Sequence, residues 1–174
     1  MKTLRRRSYR VISEFVTFSF GVMAAVIVVD LGPVLEGGPI LGIAMCFVVI
    51  VMTRRIMGSR VVLDGPIVTV INPLMTYSVP CKEISRVSLG GDGTLVIWTR
   101  GGEKVLSVGF GGSLIDRFVG STERAVKQIE DHRKRDSGSR DPGEFGQKFT
   151  TAWIADFSMG GALVCAAVAV AVGI

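Results

Sequence analysis

Few residues in this chain have the types and spacing that chemistry needs. The string SVGFGGSL, Ser107–Leu114, sets glycines at a strand-to-helix junction, where a Gly-rich turn can cradle a dinucleotide pyrophosphate. The third glycine of that fingerprint is replaced by Leu114 and no βαβ unit follows, so nucleotide binding is not expected. The single histidine, His132, lies in EDHRKR at a helix end, where a positive charge suits the helix dipole, and it reads as a solvated cap rather than a general base. Cys46, Cys81 and Cys165 have no zinc-site spacing with it, and Glu83, Asp92 and Glu103 stand isolated on expected strands or turns. Glu14, inside an apolar run, has a proton relay as its sharpest chemistry; Arg10, one turn earlier, offers it an i,i+4 ion pair instead. Asp156, at the edge of the last apolar run, reads as solvated. The chain is therefore expected to be non-enzymatic, without cofactor or metal.

These residues sit in a chain that is 48% hydrophobic with a mean hydropathy of +0.48 over 174 residues, too apolar for an ordinary soluble domain of this size. Lys2, Arg5, Arg6, Arg7 and Arg10 precede the run FVTFSFGVMAAVIVV. Asp30 and Glu36 flank a short connector, and PILGIAMCFVVIVMT then stops at Arg54-Arg55. Basic, acidic, basic is the charge order of a helical hairpin with both ends cytoplasmic and a small external loop. No small-x-small cleavage site follows Val29, so the first helix is expected to be retained. Because the arginines flank apolar runs rather than forming a basic stripe, nucleic acid is not an expected partner. The cysteines, two of them in apolar runs and one alone, give no disulfide framework.

From Arg60 to Phe110 the period is two. VVLD, IVTVI and MTYSV are separated by Asp64-Gly65-Pro66 and Asn72-Pro73, EISRVSL follows Pro80, and TLVIWT and KVLSVGF flank Gly101-Gly102. About six short strands in a meander follow from this. A two-residue turn at the glycines would set Arg100 opposite Glu103, Ile97 opposite Leu106 and Leu95 opposite Val108. The other face would then carry Val96, Trp98 and Val105. After Phe110 the period becomes helical, with Leu114, Ile115, Phe118, Val119, Ala125, Val126 and Ile129 on one stripe. Gly120-Ser121 interrupts it, and Ser121 is placed to cap a second piece. KRDSGSRDPGEFGQK reads as a linker, and Phe145, Phe149, Trp153 and Phe157 form a stripe at helical spacing suited to a membrane interface.

The order of these features resembles the bacterial pleckstrin-homology-like (PH-like) domains of small membrane proteins. The likeness lies in Arg60 to Val79 as early strands, VPCKEISRV as the proline-led start of the next strand, the Gly-Gly hairpin, and AVKQIEDHRKR as the end of the closing helix. Where that family often has tryptophan after the proline, this chain has Cys81. The resemblance covers roughly two fifths of the chain and implies a binding module.

The expected organisation is an α+β membrane protein. A basic cytoplasmic tail (1–10), a transmembrane helix (11–29), an external loop (30–38) and a second transmembrane helix (39–57) lead to a cytoplasmic PH-like domain (58–135). A linker (136–148) and a third transmembrane helix (149–174) follow, placing the C-terminus outside the plasma membrane. Its expected role is to bind or scaffold a membrane or cytoplasmic protein through Val96, Trp98 and Val105. The alternatives are sensing of anionic lipid through Arg54, Arg55, Arg60, Arg86 and Arg100, or service as an accessory subunit of a transporter or channel. Small residues at Gly21, Ala25, Gly38, Gly42, Cys46, Gly161, Cys165 and Ala169 offer grooves for helix packing or homo-oligomers.

Overall fold

A computed structural model describes residues 1–31, 36–111, 121–136 and 144–173. Along the chain these form β1 (Lys2–Leu4), α1 (Arg7–Asp30), α2 (Gly37–Met57), β2 (Arg60–Asp64), β3 (Ile67–Ile71), β4 (Met75–Pro80), β5 (Ile84–Leu89), β6 (Leu95–Thr99), β7 (Lys104–Ser107), a 3-10 turn (Val108–Phe110), α3 (Ser121–Asp136), β8 (Gly146–Phe149) and α4 (Trp153–Val172). The chain is thus α+β, and it divides into two compact units. One comprises Met1–Arg7 and Gly58–Thr150; the other comprises Ser8–Met57 and the segment from Thr151 onward.

The first unit is built of antiparallel strands in two sheets, ordered β1-β2-β3-β4-β8 and β5-β6-β7. The turns at Asp64-Gly65-Pro66 and Asn72-Pro73 join β2 to β3 and β3 to β4 as their residue types require, with Gly65 at φ +50°. In the larger sheet the register aligns Leu4, Val61, Val70 and Tyr77 in one row and Leu63, Val68 and Val79 in the next. Because side chains alternate across a strand, both rows face the core. There they join Ile84, Val87, Leu95, Ile97 and Val105 from the second sheet and Ala125 and Ile129 from α3. A bulge between Ile84 and Arg86 keeps Ile84 and Val87 both inward, which plain alternation forbids. In the loop from β5 to β6, Asp92 accepts hydrogen bonds from the Thr94 backbone N–H (3.0 Å) and hydroxyl (2.8 Å), which hold its carboxyl below the usual range.

The β6–β7 hairpin differs from the expected register by one residue. Leu95 pairs with Ser107, Val96 with Leu106, Ile97 with Val105 and Trp98 with Lys104. The loop has three residues, Arg100 to Gly102, closed by the Thr99 N–H on the Glu103 carbonyl (2.9 Å). Only Gly102 has a positive φ, +84°, the backbone of a turn followed by a left-handed glycine. The one-residue shift turns Val105 into the core, at 2% exposure, and turns Leu106 out.

Three further expectations are corrected. Residues 1–10 are not a free tail: β1 pairs with β2, and Arg6 donates to the Gly111 carbonyl (3.2 Å) and the Thr122 hydroxyl (3.3 Å). Residues 136–148 are not all linker, since Phe145 packs on the core and β8 pairs with β4 from Gly146 to Phe149. The stripe Phe145, Phe149, Trp153 and Phe157 is therefore not one helical face. The chain stays extended through Thr150, whose hydroxyl shares a buried 2.8 Å hydrogen bond with Thr76, and the last helix begins only at Trp153. The expected stripe positions Leu114, Ile115, Phe118 and Val119, and Gly120, lie outside the described residues, as does the Ser121 side chain; Ala125, Val126 and Ile129 meet the core as expected.

Among the described residues, the second unit contains three helices long and apolar enough to cross a membrane, Ser8–Asp30, Gly37–Met57 and Trp153–Val172. A bilayer needs about 20 apolar residues. The three points at which the chain passes between the units, after β1, before β2 and after β8, all belong to the five-stranded sheet. They also leave from one end of it, because Leu4 pairs with Val61, Arg60 with Ile71, Ile71 with Thr76, and Met75 with Phe149.

Close backbone approach constrains one glycine. A Cβ on Gly109 would stand 2.7 Å from the Ser59 carbonyl oxygen and 2.9 Å from its carbon, and neither is free to swing away. Gly109→Ala is expected to cost about 1–3 kcal/mol, read as a lower thermal midpoint of the detergent-solubilised protein. Gly91→Ala, where a Cβ meets nothing within 4 Å, should leave that midpoint unchanged.

Candidate functional site

Four charges of the helical unit are held in two pairs. Arg54 on α2 makes a bidentate contact with Glu14 on α1, at 3.0 and 2.9 Å, and its Nε donates to the Thr17 hydroxyl at 2.9 Å. The expected i,i+4 partner, Arg10, is displaced by one that arrives in fork geometry, the stronger arrangement for a carboxylate. Arg55 donates to Asp156 on α4 at 2.7 Å, and the other Asp156 oxygen accepts the Ala152 N–H at 3.0 Å. The Arg55 side chain is only 7% exposed and that of Asp156 36%. Asp156 is thus an ion-pair partner rather than a solvated boundary residue. Arg54 and Arg55 are committed to carboxylates of their own chain, which corrects their expected place among free headgroup contacts.

Apolar packing follows the same pairing. Phe20, Ala24 and Ile27 of α1, with Leu31 just after it, meet Ile43, Cys46 and Phe47 of α2 and Cys165 of α4. The stripe on α1 lies one residue away from Gly21 and Ala25, which were expected to serve. A Cβ on Gly21 or Gly38 would meet nothing within 4 Å, and Ala25 is exposed. Of the remaining expected positions, a Cβ on Gly42 would stand 3.6 Å from Ile27 and one on Gly161 3.2 Å from the Phe47 ring, and Cys46 and Ala169 are buried. Ala155, Ala162 and Ala169, seven residues apart, form the buried face of α4. Thr151, Trp153, Asp156, Phe157, Gly160 and Gly161 line a shallow apolar groove of about 420 Å³ beside that face, with the Trp153 and Phe157 rings 6.3 Å apart.

In the β unit the expected partner face is divided. Val96 and Trp98 lie on the side of β6 opposite that core, but Val96 is already covered, at 2% exposure, and Trp98 is half-buried; Val105 is inside the core, and Lys104 and Leu106 take the outward positions on β7. Lys104 Nζ stands 5.5 Å from the centroid of the Trp98 ring, within cation–π range. Arg86 lies opposite Trp98 on β5, and Arg86 and Arg100 are exposed, while Arg60 is half-buried with a hydrogen bond to the Gly58 carbonyl (3.3 Å). The five expected headgroup arginines are therefore spread over both units.

Each edge of the three-stranded sheet is met at one end by a side chain. Asn72 donates to the Leu106 carbonyl (2.7 Å) and accepts from the Val108 N–H (2.9 Å), standing in for a neighbouring strand beside β7. On β5, Arg133 donates to the carbonyls of Ile84 and Ser85. Edges treated this way resist strand addition.

Cys81 and His132 are both held by contacts of their own chain. Cys81 is buried at 1% exposure, and burial, with Asp136 adding to it against Arg133, pushes its thiol above the ordinary range, so it stays protonated. His132 Nδ1 contacts Asp136 at 3.1 Å as an i,i+4 pair. Among the described residues no three His, Cys, Asp or Glu side chains are placed to hold a metal ion. Of the glycine-rich string, residues 112–114 lie outside the described residues. Sequence reasoning missed the partners of Arg54 and Arg55, since nothing local marks a contact across 40 or 101 residues. No protein family model, no curated protein and no solved structure matches this chain.

Removing Asp156 takes a counter-charge away from a largely buried guanidinium. Asp156→Ala is expected to destabilise the protein by about 3 kcal/mol, with part of the loss recovered in Arg55→Met/Asp156→Ala. Thermal unfolding of the four members of this double-mutant cycle in detergent measures the coupling, expected to exceed about 1 kcal/mol.

Proposed function

We propose that this chain is a non-enzymatic integral membrane protein that presents a PH-like module at the cytoplasmic face of the plasma membrane for binding or scaffolding a protein partner. The observation that carries this reading is the β unit itself. Its meander β2–β7 divides between two sheets, and α3 closes the core between them. The same order of features led to the resemblance seen in the sequence. Support for membrane insertion comes from the three apolar helices, whose polar ends are basic at Arg54 and Arg55 and acidic at Asp30 and Glu36.

The partner is expected to be protein in preference to lipid. Two of the five arginines that would serve a lipid surface are engaged by Glu14 and Asp156. The outward Trp98, beside Arg86, is of the residue types that anchor protein interfaces.

Topology is tested by labelling intact cells with a membrane-impermeant maleimide. Glu36→Cys should react in intact cells and Gly91→Cys only after permeabilisation; the reverse pattern would overturn the orientation. Crosslinking and affinity purification from native membranes should recover a protein neighbour through the β unit, and a neighbour held equally well by a chain lacking residues 60–135 would favour an accessory-subunit role through the helices.

A further inference from the structure

The outward face of β5–β7 has a composition that selects its occupant. Register places Arg86, Trp98 and Lys104 in one row across the three strands and Ser88, Val96 and Leu106 in the next. Alternation puts both rows on the side opposite the core row Val87, Ile97 and Val105. Val96 is already covered, at 2% exposure, so this side presents two cations, a half-buried indole, a half-buried hydroxyl and Leu106, with no carboxylate among the six positions. Arg86 and Lys104 form no ion pair among the described residues, in contrast to Arg54 and Arg55. Lys104 lies instead over the Trp98 ring, and Leu106 is 44% exposed.

Covering such a face with a neutral apolar partner would strip water from two cations and return nothing to them. Covering it with carboxylates gives each cation a counter-charge while the indole supplies buried area, the combination found at interface hot spots. Strand addition is disfavoured here because Asn72 and Arg133 each meet one end of an edge. We infer that this face docks an acidic segment of a protein partner, its carboxylates on Arg86 and Lys104 and an apolar side chain against Trp98 and Leu106. The inference rests on the protein-binding reading and gives that reading a site and a partner chemistry.

The test uses the full chain in neutral detergent with Trp153→Phe, which leaves Trp98 as its one indole. A short peptide alternating Glu and Leu is titrated against Trp98 emission. The expected result is a saturable response, weakened by raising the salt concentration and reduced about tenfold or more in Arg86→Glu/Lys104→Glu. A peptide alternating Lys and Leu should bind that doubly reversed variant better than the parent chain. Arg86→Ala/Lys104→Ala, at exposed positions, should keep the parent thermal midpoint and show an intermediate loss. Equal binding of the acidic peptide to parent and reversed chains would overturn the proposal, as would a response to phosphatidylglycerol vesicles with none to the peptide. If the native-membrane neighbour is still recovered by the reversed variant, the docking face is wrong while the protein-binding reading stands; if no neighbour is recovered with the parent chain, the reading itself fails.

Discussion

The pairing on which the rest of the structure depends is the addition of β1 and β8 to the two sides of β2–β3–β4. Backbone N–H and C=O groups on a sheet edge must find partners or water, and a strand drawn from elsewhere in the chain satisfies a whole row of them at once. Here both added strands lie next to helices, β1 two residues before α1 and β8 three residues before α4, while β2 starts two residues after α2. Their antiparallel registers bring the start of β2 and the ends of β1 and β8 to one end of the sheet. A three-point tether results from hydrogen-bond pairing alone.

Two consecutive arginines do comparable work in the helical unit. Neighbouring residues on an α-helix project about 100° apart, so Arg54 and Arg55 cannot reach the same neighbour. Arg54 turns to Glu14 and Thr17 on α1, and Arg55 turns to Asp156 on α4. One turn of α2 thereby fixes the ends of two other helices, and every charge involved has an opposite charge in contact. That matters most where apolar surface surrounds the site, because an unpaired charge there would cost several kcal/mol. Below this turn the contacts are apolar and close. Ala155, Ala162 and Ala169 keep the buried face of α4 small, and Gly161 admits the Phe47 ring.

Much of the architecture was legible because it is written in periodicity. The period of two over residues 60–107 reported β2 to β7, and three long apolar runs reported α1, α2 and α4. What could not be read is what depends on distant partners. β1 and β8 have three and four residues, too few for alternation to register, and their pairing partners lie some sixty to seventy residues away. The small-residue face of α1 was misassigned by one position, because Gly21 and Phe20 are adjacent and only the neighbouring helix decides which is turned inward. Glu14 looked satisfied by Arg10 under a local rule, yet a fork across helices outcompeted it. For the candidate face the residue types were visible in the sequence, and its membership was not.

That membership turned on one residue of loop length. A pair of glycines serves a two-residue hairpin and a three-residue hairpin alike, since each demands a positive φ and glycine supplies it without steric cost. The shorter loop would have placed Lys104 opposite Thr99, on the same side as Ile97 and Leu95 and so toward the core, where an ammonium group has no counter-charge. The longer loop puts Lys104 outside and Val105 inside, at the modest cost of burying the Ser107 hydroxyl. Charge burial outweighs that hydroxyl by several kcal/mol, so the polarity of Lys104 fixes the register that the turn residues leave open. The same choice sets Lys104 beside Trp98 and opens Leu106 to the outside. The outward face of β5–β7 is therefore a consequence of how the core excludes a lysine, and its cation-flanked indole follows from the fold before any partner acts on it.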